Sequence, residues 1–260
     1  MLLGLPAVST AKGELVKVQY LGDVNDYRKY ALLRLLAGAG LKIGVNWLLT
    51  PDDGGPDGNK RGYLARPGEF GSYDPDLFDF MERIPDQPTF SDFQQVERAG
   101  IIPGAAYFDR FVPVGTEARA AFHAASMEQF ASSDLVFFDP DNGIAVRSTS
   151  KNRVNGIKFV FDDELEDHYQ AGRSLLIYQH FPRIERLKFI ESVGTRLRRL
   201  APDSQMWVCH TSHVLFAIVA HSTGSGDHAR KISDGLAVGR GRWPETFIRL
   251  VPLTSVNDIT

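Results

Sequence analysis

The sequence contains a single cysteine, Cys209, among its 260 residues. One thiol cannot form an internal disulfide framework or a cysteine-rich zinc cluster, so both kinds of structure are excluded. A scarcity of cysteine is typical of chains that work in a reducing compartment, and we predict a cytoplasmic protein.

Long apolar runs and a strong net charge are also missing. No stretch approaches the roughly 18–20 apolar residues of a membrane span. The apolar start MLLGLPAV lacks the basic segment of a secretion signal. We therefore expect no membrane partner and interpret residues 1–17 as a flexible leader. The formal net charge of −3 gives no overall preference for nucleic acid, but a local basic patch is compatible with it.

Two common nucleotide-binding motifs are missing as well. The chain has neither a Gly-x-Gly-x-x-Gly turn nor a Gly-x-x-x-x-Gly-Lys-Ser/Thr phosphate loop. What it does have is 43% hydrophobic and 11% aromatic residues, enough for one large core. We predict a single α/β domain over 18–260, with a loop or helical insertion at about 60–100 and a mobile loop at about 222–243.

The stretch that organises the chain is 134–146, with the sequence DLVFFDPDNGIAV. Its apolar run from Leu135 to Phe138 predicts a buried central strand. The strand should end at Asp139-Pro140, because proline cannot donate a hydrogen bond to a sheet, and Asn142-Gly143 is typical of a turn. Ligands of open α/β sheets bind beyond the carboxyl ends of the strands, so this loop is a candidate site.

Three more predicted strands carry polar residues at their ends. The strand over 41–49 runs into TPDDGGPDGN, the strand over 105–112 carries Asp109, and the strand over 174–179 ends at His180. Helices alternate with these strands, and the strand-rich tail predicts an antiparallel edge. We therefore predict a Rossmann-like, doubly wound α/β sheet, mostly parallel with an antiparallel C-terminal edge. Its crevice should gather the polar loops.

A helix is predicted from about Asp26 to Gly38 or Gly40, with Asn25 or Asp26 as its N-cap. Its first turns carry Asp26 and Lys29, which can face a ligand while the apolar stripe faces the sheet. An ordinary capped helix with solvated charges explains the same residues. The acidic glycine loop that begins at Thr50 is equally compatible with an exposed turn.

Several of these segments resemble known families. LGDVNDYRKY, TPDDG, FFDPDNG and YQHFPR resemble a bacterial family of unassigned function, and this likeness covers nearly the whole chain. Over short motifs only, the chain resembles the S-adenosylmethionine (SAM)-dependent 23S rRNA adenine-N6 methyltransferases. Those enzymes have an Asn-x-x-Asp-x-x-Lys-His helix before the cofactor strand and Asp-Pro-Pro-Tyr at the catalytic strand.

The methyltransferase resemblance implies SAM as the cofactor and an amine, in nucleic acid or elsewhere, as the substrate. It implies that cofactor-binding residues are Asp26, Lys29, Tyr30, Thr50, Asp52, Asp53, Gly54, Gly55 and Asp109. It implies that catalytic residues are Asp139, Pro140, Asp141, Asn142 and His180. Asp139 and the Pro140 carbonyl would then accept hydrogen bonds from the amine. Because Asp-Pro-Asp-Asn replaces Asp-Pro-Pro-Tyr, the aromatic residue that would stack on a flipped base is missing.

The acidic residues also allow a different chemistry. Asp52, Asp139 and Asp141 offer hard oxygen ligands for Mg²⁺ or Mn²⁺, and His180, Arg183 or Lys29 could hold a phosphate, as in a metal-dependent phosphoesterase or nuclease. A third alternative is a non-catalytic binding protein on the same fold, since fold does not fix function. The sequence determines neither the substrate nor the oligomeric state.

Overall fold

The computed structural model describes residues 17–18, 20–52, 60–221 and 227–253. The strands in these ranges are β1 (Ile43–Asn46), β2 (Ala106–Phe108), β3 (Leu135–Phe138), β4 (Ser174–His180), β5 (Gln205–His210), β6 (Val214–Ala220) and β7 (Arg249–Pro252). The α-helices are α1 (Val24–Gly38), α2 (Pro67–Phe70), α3 (Pro75–Arg83), α4 (Phe90–Arg98), α5 (Thr116–Gln129), α6 (Asp162–Gln170), α7 (Arg186–Leu200) and α8 (His228–Arg242). Short 3₁₀ helices cover Gly62–Ala65 and Val154–Lys158.

The strands form one seven-stranded sheet in the order β2-β1-β3-β4-β6-β5-β7. Strands β2, β1, β3 and β4 are parallel neighbours. Strand β6 is antiparallel to both β4 and β5, and β7 is antiparallel to β5. The structure thus confirms an α/β fold whose sheet is parallel in its first part and antiparallel on the C-terminal side.

Strand β3 lies at the centre of two apolar layers, and its four residues are fully or almost fully buried. Successive side chains of a strand point to opposite faces of the sheet. Leu135 and Phe137 therefore pack in the layer that contains α1, while Val136 and Phe138 pack in the layer that contains α6 and α7. Burial on both faces explains why this strand is a continuous apolar run rather than an alternating one.

The order of the strands reverses at β1. The chain passes from β1 to β2 on one side of it and later returns to β3 on the other side. The carboxyl ends of β1 and β3 lie side by side, with Asn46 paired to Phe138 and the Asp139 N–H donating to the Asn46 carbonyl at 3.1 Å. A crevice at such a switch point is the usual ligand site of an open α/β sheet.

The segment predicted as an insertion is helical, since α2, α3 and α4 all fall between β1 and β2. The Asp74 side chain caps α3 by accepting from the Leu77 N–H, with Pro75 at the first helical position. This helical segment covers the α1 side of the sheet and brings Phe93 of α4 to the edge of the crevice.

The prediction of a mobile loop at about 222–243 is wrong over most of its length, because α8 occupies His228–Arg242. Ile232, Gly235, Leu236 and Gly239 form its buried face. A Cβ on Gly239 would lie 2.9 Å from Leu35 of α1, so the two helices approach closely at that glycine. The glycines of this segment were interpreted as loop residues, whereas Gly235 and Gly239 allow α8 to pack closely on α1.

Two other predictions concern the chain before β1. The predicted leader, residues 1–17, lies outside the described residues except for Lys17. The N-cap of α1 is Asp23 rather than Asn25 or Asp26.

Among the helices that the described residues form, none combines the length and the apolar character needed to cross a membrane.

Candidate functional site

The first turns of α1 hold an unusual set of buried polar side chains. Asp23 caps the helix by accepting from the N–H groups of Asn25 at 2.7 Å and Asp26 at 3.0 Å. Asp23, Asn25, Asp26 and Lys29 are each at most 7% exposed. Burial of polar and charged groups costs free energy unless they are paired. An ordinary capped helix with solvated charges therefore does not describe this end of α1.

These residues face a cavity of about 500 Å³ at the carboxyl ends of β1, β3 and β4. The loop after β1 contributes Thr50 to its wall, and β4 contributes Tyr178 and His180. The predicted site residues that line it are Asp26, Lys29, Tyr30, Thr50, Asp139, Pro140, Asp141, Asn142 and His180. Segments that are far apart in the sequence thus converge on one crevice.

Lys29 is the centre of the buried cluster. Its Nζ lies 2.9 Å from Asp139 Oδ2, 3.1 Å from Asp26 Oδ1 and 4.3 Å from the centroid of the Tyr178 ring. Burial alone would lower the pKa of Lys29, but the carboxylates of Asp139 and Asp26 raise that pKa well above its ordinary value. Lys29 therefore stays protonated at neutral pH.

The pKa values of the carboxylates around Lys29 are also raised, which disfavours their charged form. Burial raises the pKa of Asp26 to about 7, with Lys29 opposing the shift and Asp23 and Asp139 adding to it. Burial likewise raises the pKa of Asp139, again against the effect of Lys29. One lysine cannot neutralise two buried carboxylates, so they compete for it and titrate as a coupled pair. The cluster is poised to favour a ligand that brings positive charge or hydrogen-bond donors.

The loop after β3 is held in place by Gln179 of β4. Gln179 Oε1 accepts from the Ile144 N–H at 2.8 Å, and its Nε2 donates to the carbonyls of Asn142 at 3.2 Å and His180 at 2.9 Å. Gly143 has a φ of +86°, and a Cβ there would lie 2.0 Å from Gln179 Oε1. Glycine is therefore required at this turn, and Gln179 fixes the loop that carries Asp139 and Asp141.

The loop after β1 contacts the loop after β3 directly. Thr50 Oγ1 donates to Asp141 Oδ2 at 2.9 Å, and Lys17 Nζ lies 3.6 Å from the same oxygen. The expected meeting of residue 50 with residues 139–142 is thus confirmed. Asp141 thus has two partners, Lys17 before α1 and Thr50 after β1.

Not every predicted residue joins the crevice. Asp109 directly follows β2 at the edge of the sheet, is exposed, and is not part of the cavity wall, so the expectation that it shares the crevice is wrong. The crevice lies where β1 and β3 end, and β2 is on the far side of β1. The residues that follow β2 therefore do not reach the cavity. Asp52 is exposed and also lies outside the wall. Asp53, Gly54 and Gly55 are outside the described residues.

The alternative metal set does not assemble in the part of the chain that the structure describes. Within that part, no three or more histidine, cysteine, aspartate or glutamate side chains are grouped so that they could hold a metal ion. Of the proposed ligands Asp52, Asp139 and Asp141, the first lies outside the cavity wall and the second is paired with Lys29. A cation next to Asp139 is already supplied by the protein itself.

Apart from Tyr30, sequence reasoning missed the aromatic residues of the cavity wall. Trp47 and Phe93 line the cavity, with ring centroids 4.9 Å apart in an edge-to-face arrangement. Tyr20 and Tyr178 line it as well. The sequence did contain a signal for Trp47, because this tryptophan lies within the apolar strand predicted over 41–49. Phe93 gave no such signal, because only the folded helical segment brings it to β1.

Comparison of the chain with protein family models, with curated proteins and with solved structures finds no match. Function therefore has to be inferred from the chemistry of the cavity. Its wall combines aromatic rings, four aspartate side chains and four lysine side chains, with the carboxylates in excess only around the buried Lys29. Such a site suits a small molecule with a flat ring, hydrogen-bonding groups and a positive centre.

Proposed function

We propose that the chain is an SAM-dependent, methyltransferase-like protein that binds SAM in this cavity and transfers its methyl group to an amine. The observation that carries the proposal is the convergence of Lys29, Thr50 and Asp139 on one cavity at the β1–β3 switch point. The reversal of strand order at β1, with parallel neighbours on both sides, supports a Rossmann-like arrangement.

The chemistry of the cavity wall fits SAM. A volume of about 500 Å³ is within the range of about 300–1,000 Å³ of small-molecule sites. Trp47 and Phe93 offer an apolar wall for the adenine ring. The surplus carboxylate of the Lys29 cluster favours the positive sulfonium, and lysines such as Lys60 and Lys158 at the wall favour the carboxylate of the methionine part.

Asp139 and Pro140 would position the amine. One oxygen of Asp139 is held by Lys29, which leaves the other oxygen and the Pro140 carbonyl to accept the two N–H groups of an amine and orient its lone pair. When bound, SAM supplies an electrophilic methyl group on a positively charged sulfur. The negative charge of the cluster stabilises the cationic amine that results, until that amine releases a proton. The protein contributes mainly orientation and a fixed electrostatic field.

Binding of S-adenosylhomocysteine, measured by isothermal titration calorimetry, tests the proposal. We expect the wild type to bind it and Phe93→Ala to bind about tenfold more weakly, since ring stacking contributes about 1–3 kcal/mol. Phe90→Ala is the matched control. Phe90 is on the same helix and its ring centroid lies 5.9 Å from that of Phe93, but it is not part of the cavity wall.

The proposal is wrong if folded wild type gives no binding heat at millimolar ligand. A clear heat of binding with Mn²⁺ in that experiment would instead favour the metal-dependent hydrolase. Equal losses of affinity in Phe93→Ala and Phe90→Ala would place the ligand away from the aromatic wall.

A further inference from the structure

A second cavity adjoins the candidate site. It has a volume of about 460 Å³ and lies between the segment that follows β4 and the turn that joins β5 to β6. His180 lines the first cavity, and the next residue, Phe181, lines the second. The Phe181 N–H donates to the His213 carbonyl at 3.1 Å, which ties the two segments together. The segment from His180 to Phe181 therefore contributes to the walls of both cavities.

The charge of this second cavity is positive. Arg183, Arg186 and His213 line it and are exposed. Glu185, the acidic residue of the wall, is already paired with Lys188 at 2.9 Å. Neither arginine forms an ion pair with any residue that the structure describes. We name Phe181, Arg183, Arg186 and His213 the arginine surface.

Two other arginines of the chain do have carboxylate partners. Arg196 is paired with Asp162 at 2.7 Å, and Arg230 with Asp234 at 3.0 Å. The two arginines of the arginine surface thus present their charge to solvent without an ion-pair partner among the described residues. In a chain with a formal net charge of −3, that local excess of positive charge is needed to attract a polyanion.

An aromatic ring lies among these charges. The Arg186 guanidinium is 6.0 Å from the Phe181 ring centroid, and that ring packs edge to face on Phe189 at 5.7 Å. Ile184 beside it is 56% exposed. Guanidinium groups recognise phosphates through several hydrogen bonds, while an aromatic or apolar surface favours an unpaired base. An acidic peptide would use the charges but not the ring.

We infer that the arginine surface binds the phosphate backbone of a single-stranded nucleic acid. This deepens the proposed function and rests on it in one respect, namely that a base of the bound strand reaches the first cavity past His180. The arginine surface would then determine the substrate class, and the first cavity would hold the reacting amine. Single-stranded substrate is favoured because a base stacked within a duplex could not enter the cavity without being flipped out.

Fluorescence anisotropy with a labelled single-stranded oligonucleotide tests the inference over a range of salt concentrations. We expect the wild type to bind and Arg183→Gln/Arg186→Gln to bind at least fivefold more weakly at low salt. The slope of log K against log salt changes by about 0.7 for each phosphate of a single strand that the protein no longer neutralises, so the slope of the double variant should be smaller by about 1.4. Arg196→Gln/Arg230→Gln, with the same change in charge, should resemble the wild type.

Phe181→Leu separates stacking from charge. It should weaken binding and leave the salt slope unchanged, because both arginines still neutralise their phosphates. The inference is overturned if the wild type does not bind, if both double variants are weakened equally, or if poly-glutamate or a blunt duplex binds as tightly as the single strand.

Calorimetry with S-adenosylhomocysteine on the same proteins distinguishes this inference from the proposed function. Arg183→Gln/Arg186→Gln should bind that ligand as the wild type does, because neither arginine lines the first cavity. Oligonucleotide binding without S-adenosylhomocysteine binding would contradict the methyltransferase proposal and support the arginine surface. The reverse result would support the proposal and contradict the arginine surface.

Discussion

Two buried ion-pair clusters of this protein can be compared directly. On one face of the sheet, Arg119 of α5 donates to Glu164 of α6 at 2.6 and 2.8 Å and to the Phe159 carbonyl at 3.0 Å. Glu164 also accepts from the Phe161 N–H at 3.1 Å. On the other face, Lys29 has two carboxylates within 3.1 Å and lines the cavity. Both clusters are buried, but only one has a surplus of charge.

The difference separates a cluster within the core from one that faces the candidate site. Arg119 and Lys151 face Glu164 and Asp163, so two cations match two carboxylates. The side chains of Arg119 and Glu164 are 2% and 4% exposed, and neither lines the candidate site. The Lys29 cluster leaves two aspartates with raised pKa values in contact with open space. Perturbed carboxylates next to a cavity are typical of sites that act on a ligand. We therefore expect substitution of Arg119 to lower stability and substitution of Asp26 to raise it at neutral pH.

The largest expected effect is on stability, in Arg119→Met. Loss of Arg119 removes both close hydrogen bonds to the buried Glu164 carboxylate and leaves it only Lys151 at 3.5 Å, which should lower the free energy of unfolding by about 3 kcal/mol. Urea denaturation measures this change. Arg196→Met removes an exposed pair and should cost at most about 1 kcal/mol. Equal losses of stability in the two variants would contradict a structural role for the buried pair.

Next in size is the pH dependence of stability through Asp26. Its pKa is about 7 in the folded protein and 3.8 in the unfolded chain, so between these values the folded state holds a proton that the unfolded state lacks. The stability that this proton provides is present at low pH and is lost as the pH rises through 7. Each unit of raised pKa corresponds to about 1.4 kcal/mol.

Asp26→Asn should therefore gain stability relative to the wild type as the pH rises from 5 to 8, by a few kcal/mol in total. Urea denaturation of both proteins at several pH values measures the difference. Parallel stability curves would show that Asp26 is ionised throughout this range, and the surplus carboxylate would then be fully charged rather than shared with a proton.

The smallest expected effect comes from Thr50→Val. It removes the hydrogen bond to Asp141 and should lower the free energy of unfolding by about 1 kcal/mol, because Asp141 keeps its ion pair with Lys17. Thr50→Ser retains the hydroxyl and is the control. A loss of stability in Thr50→Ser as large as that in Thr50→Val would mean that the threonine methyl group, and not its hydroxyl, stabilises the loop.

The sequence predicted the sheet better than it predicted the site. Strand β3 was predicted with its observed bounds, because a buried apolar run has few alternatives. Helix α8 was taken for a loop, since its glycines matter only through contact with α1. Asp109 was expected in the crevice on the assumption that all parallel strands end there, but the distance of β2 from the switch point depends on the strand order.

The pairing of Lys29 with Asp139 could not be predicted in detail either. The two residues are 110 positions apart in the sequence, and their 2.9 Å contact depends on how α1 packs over the carboxyl end of β3. The motifs were sufficient to predict that α1 and the Asp139 loop belong to one site. They were not sufficient to predict that Lys29 pairs with Asp139. This ion pair is the observation that disfavours a metal ion at Asp139.

The preference of the cavity for a charged sulfur tests the central claim most directly. Calorimetry can compare SAM, which carries a sulfonium, with S-adenosylhomocysteine, which carries a neutral thioether, on the wild type, on Asp139→Asn and on Asp109→Asn. We predict that Asp139→Asn loses at least fivefold in affinity for SAM and little for S-adenosylhomocysteine, while Asp109→Asn matches the wild type. An unchanged ratio of the two affinities in Asp139→Asn would contradict the claim that the Lys29 cluster faces the methyl donor.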